Sequence, residues 1–170
     1  MPVRVSKDLL IGTITTLIGI ITGIIISEFF YQRNIKDIKK DLLDGAGLDI
    51  LRNLDKETYP QLFDSVRFEA SGQPWRQLST QGMDQLFSNL LNFRDFENFK
   101  EFANLVNATK AALDDFNDRI ELRNYSIYQG FEYVSSANPR AYHFYQSIVA
   151  PRLKRLKEYI GANYNQLISS

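Results

Sequence analysis

"LLIGTITTLIGIITGIIIS", Leu9 to Ser27, runs nineteen residues without a charge, a proline or an amide side chain. As a helix it spans about 28 Å, close to the hydrocarbon thickness of a bilayer. Eleven of its residues are Leu or Ile, and each favours insertion by roughly 0.3–0.6 kcal/mol near a helix centre. Phe29, Phe30 and Tyr31 follow where an interfacial aromatic belt belongs, then Arg33 and Lys36. A cleaved signal peptide would be shorter and end in small residues. Here the run closes in "IIISEFFYQR" with no such site. The remaining alternative is a core helix of a globular domain. Length, aromatics and basic flank together predict a membrane anchor over 9–31.

Small residues recur along this helix at intervals of four: Thr15, Gly19, Gly23 and Ser27, with Gly12 and Thr16 on the same side. Positions i and i+4 share a helix face, so these six draw a narrow stripe through a surface of Ile and Leu. "GIITG" has the G-x-x-x-G spacing that lets two membrane helices approach closely. The stripe predicts a helix–helix contact in the membrane, with a second copy or with another membrane protein.

Orientation follows from charge. Arg4 and Lys7 precede the run, whereas Arg33, Lys36, Lys39 and Lys40 follow it. The richer flank belongs on the cytoplasmic side of the cell (inner) membrane, carrying the larger domain with it. Two glycosylation sequons, at Asn107 and Asn124, lie in helical sequence and read as chance occurrences.

Beyond the run, composition is that of an ordinary folded domain. The 170 residues carry 20 basic and 20 acidic groups. From residue 35 onward 17 positive charges face 18 negative ones, so no field draws the chain to nucleic acid. There is no cysteine, which excludes disulfides, thiolate nucleophiles and cysteine zinc sites. Aromatic residues make up 13% of the chain, enough for a packed core.

The pattern is helical throughout. Ile35, Ile38 and Leu42 continue the helical spacing as an amphipathic stalk, and "DGAG" at 44–47 is a turn signal and candidate hinge. Leu48, Leu51 and Leu54 predict a short helix, and Pro60 suits the first turn of another. "ASGQPW" at 70–75 reads as a loop. Met83, Leu86, Phe87, Leu90 and Leu91 form a one-sided stripe. Phe99, Phe102, Val106, Leu113, Phe116 and Ile120 give a long seam over about 95–123, with Thr109 in its missing position. "ANPRAY" at 137–142 breaks the chain. A last helix follows through Tyr142, Tyr145, Ile148, Val149, Leu153, Leu156 and Ile160, kinked or restarted at Pro151. Only "YSIYQGFEYVS" at 125–135 hints at a strand. The expected architecture is all-α: a flank at 1–8, a transmembrane helix at 9–31, a stalk and hinge at 32–47, and a small antiparallel helix bundle over 48–170.

Few residues suggest chemistry. His143, in "YHFY", is the only histidine and reads as a core or interface residue rather than a general base. Asp114, Asp118 and Glu121 share a face and have oxygen ligands for a cation, but Asp115 with Arg119 reads better as an i,i+4 pair on a solvated face. Arg152, Lys154, Arg155 and Lys157, like Arg33, Lys36, Lys39 and Lys40, are candidates for contact with lipid headgroups. No phosphate loop, dinucleotide fingerprint or nucleophile elbow occurs. The sequence therefore predicts no catalytic residue, metal, cofactor or small-molecule substrate. It points to a non-enzymatic interaction or accessory module on the membrane. The alternative is an effector whose transmembrane helices oligomerise to perturb the bilayer under control of the helical domain.

Overall fold

The computed structural model describes residues 7–63, 74–128 and 140–170, with side chains described from Thr16 onward. The chain divides into two compact units, Met1–Ile38 and Lys39–Ser170. Every regular element among the described residues is helical. They are α1 (Lys7–Asn53), a 3-10 turn at Pro60–Leu62, α2 (Gln81–Ser88), a 3-10 turn at Leu90–Phe93, α3 (Phe99–Tyr128), a π turn at Tyr145–Val149, and α4 (Ala150–Ser169). The all-α reading and the helical bundle therefore hold.

The first unit contains the N-terminal part of α1. Among the described residues no helix is long and apolar enough to cross a membrane. Thr16–Ser27, the part of the uncharged run with described side chains, is twelve residues, about 18 Å of helix and short of a bilayer core. A span over 9–31 is thus an expectation that the described residues do not bear out. Gly12 and Thr15 lie outside the described side chains.

The second unit is built on α3. Phe102, Val106, Thr109, Ala112, Leu113, Phe116 and Ile120 are buried along one face, as the 3–4 seam requires. Thr109 fits that apolar seam because its hydroxyl donates back to the Leu105 carbonyl at 2.7 Å. α4 packs on α3 through Leu153, Leu156 and Ile160. Phe102 gathers an aromatic cluster, edge-on to Phe93 at 5.3 Å and stacked on Tyr159 at 6.1 Å. Pro151 has no N–H and cannot continue the i→i−4 ladder. The π turn immediately before it absorbs that interruption, and the backbone stays helical on both sides, at Phe144, Val149 and Ala150.

Several local expectations are corrected. "DGAG" is no hinge: α1 runs straight through it, and Ala46 is fully buried. The reason is a close crossing with α2. A Cβ on Gly45 would sit 3.7 Å from the Gly82 Cα, and one on Gly82 would lie 2.2 Å from the Gly45 carbonyl oxygen. The glycines bring two backbones together instead of breaking one. Leu48 and Leu51 are exposed, while Asp49, Ile50 and Asn53 face inward. The stripe of α2 is buried at Met83 and Leu86 only. α2 ends at Ser88, and the 3-10 turn that follows turns Phe93 inward and leaves Leu91 outside. Residues 125–128 of the possible strand are helical. The rest of that segment, and residues 70–73 and 137–139 of the two expected breaks, lie outside the described residues.

Candidate functional site

The surface of the first unit is the least expected of a protein in water. Leu17, Ile18, Ile20, Ile21, Ile24, Ile25 and Ile26 are each about half exposed or more. They cover every side of the helix, because ten consecutive residues span nearly three turns. Thr16, Gly19, Gly23 and Ser27 lie among them, and nothing comes within 4 Å of a Cβ placed at either glycine. No atom of the described residues accounts for those two glycines, in contrast to Gly45 and Gly82. Phe29 and Phe30 meet edge-on at 6.0 Å and are both exposed. Below them Gln32 Nε2 donates to Glu28 Oε1 at 2.8 Å. Phe29, Gln32, Arg33 and Lys36 line a shallow cavity of about 250 Å³.

The basic residues of the second unit divide. Lys40 is exposed, but Lys39 is 1% exposed. Its ammonium donates to the Ser170 main-chain oxygen and lies 5.8 Å from the Phe93 ring centre. Lys39 is therefore removed from the candidate headgroup contacts. Its neighbour faces the other way because adjacent residues on a helix are about 100° apart. Arg152, Lys154, Arg155 and Lys157 are all exposed around the buried Leu153 and Leu156. Arg152 Nη1 donates to the Ala108 carbonyl at 2.9 Å, which ties it to α3.

The carboxylates of α3 do not converge. Asp114 is held by Lys110, which also bridges to Asp84 at 3.0 Å. These contacts raise the Lys110 pKa against the opposing effect of desolvation, the largest single influence on it. Asp115 pairs with Arg119 at 3.1 Å. Asp118 and Glu121 are exposed and border, with Leu122, Tyr125 and Tyr128, an open cavity of about 590 Å³. Among the described residues no three His, Asp or Glu side chains are placed to hold a metal ion. His143 is exposed, so the core reading of it is corrected, and its ring meets that of Tyr142 edge-on, with centroids 5.8 Å apart.

Sequence reasoning missed the interior polar network. Residues 74–80 have no regular structure, yet three asparagines clamp their backbone, each with its amide donating and its oxygen accepting. Asn124 takes Trp75, with both bonds at 2.8 Å. Asn117 takes Leu78 at 2.8 and 3.1 Å, and Asn53 takes Ser79 at 2.9 and 2.7 Å. The side-chain amide thereby supplies what a neighbouring β-strand would. Asn117 and Asn124 stand seven residues apart on α3, so they share a face, and that spacing was the available signal. Asp49, from α1, completes the network. Its carboxylate accepts from Ser79 Oγ at 2.5 Å, from the Gly82 N–H at 2.6 Å and from the Met83 N–H at 3.1 Å. The free amides of the first turn of α2 are thus capped from a distant helix, while the N-cap residue Thr80 makes no side-chain cap. Tyr145 closes the system by donating to the Asn53 carbonyl at 2.6 Å, and burial pushes its pKa up. Arg123 lies 4.5 Å over the Trp75 ring, and desolvation lowers its pKa to about 10, leaving it charged near neutrality. These contacts fasten a strap to two helices.

No protein-family model, curated protein or solved structure matches the chain.

Proposed function

We propose that the chain is a single-pass membrane protein of the cytoplasmic membrane, whose helical domain is a non-enzymatic interaction module on the cytoplasmic side. One observation carries the reading: the all-round exposure of seven large aliphatic side chains between Leu17 and Ile26. A helix apolar on every side is stable only when buried in a protein core or in lipid. Among the described residues these side chains stay exposed. Together with the uncharged residues from Leu9, the stretch has the length of a bilayer core. The small-residue stripe then sets pairing within the membrane, because Gly19 and Gly23 offer a second helix the close approach that Gly82 offers Gly45.

The absence of cysteine permits a direct test. A single cysteine at Ser27, oxidised gently in native membranes, is expected to give a disulfide-linked dimer of the full chain. Gly19→Ile or Gly23→Ile is expected to abolish most of that product. A crosslink to a different protein would make the chain an accessory subunit of that partner. A monomer under all conditions would overturn pairing through the stripe.

A further inference from the structure

We infer that Phe29, Arg33 and Lys36 form a headgroup site for an anionic phospholipid at the end of the apolar helix. The inference rests on the anchor reading above and names the lipid class it selects. Positions 29, 33 and 36 are spaced i, i+4 and i+7 and so lie on one helix face, and with Gln32 they line the cavity of about 250 Å³. Arg33 and Lys36 are exposed. The ion pairs among the described residues join Arg94 to Asp95, Lys110 to Asp84 and Asp114, and Arg119 to Asp115. Neither Arg33 nor Lys36 takes part, although Asp37 is one turn from Arg33. Glu28 is already engaged by Gln32. Two cations thus stand unspent beside an exposed aromatic ring, directly after an uncharged apolar run.

The chemistry of that arrangement matches a lipid phosphate. A guanidinium offers a planar fork for two phosphate oxygens, and the lysine ammonium adds a point charge one turn on. Phe29 supplies the apolar edge that sits at the level where acyl chains meet headgroups. A zwitterionic headgroup brings its own cation to the site and cancels part of the attraction. An anionic one does not. Each basic side chain near the surface favours anionic lipid by about fivefold in affinity, so the pair is expected to select it over phosphatidylcholine by about 10–30-fold.

The test uses the full chain with a fluorophore on Ser27→Cys, within about two and a half helical turns of the site. It is reconstituted in phosphatidylcholine vesicles containing a minor fraction of phosphatidylglycerol, with brominated acyl chains on one lipid or the other as quencher. Stronger quenching by brominated phosphatidylglycerol at equal mole fraction is expected. Arg33→Gln/Lys36→Gln is expected to bring the ratio of the two lipids' affinities close to one. Equal quenching by both lipids in the native chain overturns the headgroup site while leaving the anchor intact. No quenching by either lipid overturns the anchor reading itself. Loss of selectivity in inorganic phosphate, but not in chloride of equal ionic strength, overturns the lipid assignment in favour of free phosphate.

Discussion

Replacing Gly82 by valine is expected to lower the stability of the helical domain by about 3 kcal/mol or more, the upper range for overpacking. A Cβ at this position would lie 2.2 Å from the Gly45 oxygen, 2.3 Å from its carbonyl carbon and 2.8 Å from the Ala46 nitrogen. All three are backbone atoms of α1, so no side chain can swing aside. Relief requires α2 to lift from α1, which uncovers Met83 and Leu86, both fully buried. Thermal unfolding of the full chain followed by helical circular dichroism should show a midpoint about 10 °C lower. Gly47→Ala is the matched control. Nothing lies within 4 Å of its added Cβ, and exchanging a mid-helix glycine for alanine should stabilise by about 0.5–1 kcal/mol. An equal loss in both variants would refute the close crossing.

The second large effect is expected at Asp49. Asp49 is 5% exposed, and its carboxylate satisfies two backbone amides and a hydroxyl. Asp49→Ala leaves those donors buried with nothing to accept them, at about 1–3 kcal/mol for a lost buried partner and about 1 kcal/mol for a lost helix cap. A total near 3 kcal/mol is expected. Asp49→Asn keeps an oxygen for the Gly82 and Met83 amides, and its amide can donate to the Ser79 hydroxyl. It forgoes only the charge-assisted part of those bonds, about 1 kcal/mol. Urea unfolding of the two variants should separate them by about 2 kcal/mol. If alanine were no worse than asparagine, the capping of α2 by α1 would be wrong.

What the sequence made legible, and what it hid, divides along local and distant lines. The seam of α3 was readable, Thr109 included, because a 3–4 alternation depends on neighbours within one helix. Pro151 announced an interruption for the same reason, since proline acts on its own backbone. The hinge reading of "DGAG" failed because glycine suits a turn and a close crossing equally well. The partner that decides between them, Gly82, is far away in the chain. The exposure of Leu48 and Leu51 was hidden likewise: α1 turns toward the core the face bearing Asp49 and Asn53, whose bonds go to residues 79–83. Lys39 and Lys40 look alike in sequence, yet only Lys39 meets Phe93 and Ser170. Of the candidate residues at or beside the apolar run, Thr16, Gly19, Gly23, Ser27, Arg33, Lys36 and Lys40 are exposed.

Alkaline carbonate extraction is the direct test of the proposal that the N-terminal helix lies in lipid. Membranes from cells producing the full chain are washed at high pH and sedimented. The protein is expected to stay in the membrane pellet. Ile21→Arg/Ile24→Arg, at about 2.5–3.5 kcal/mol of insertion free energy per charge, is expected to move it into the supernatant. Quantitative release of the native chain would contradict the anchor and leave the exposed aliphatic helix as a surface for another protein.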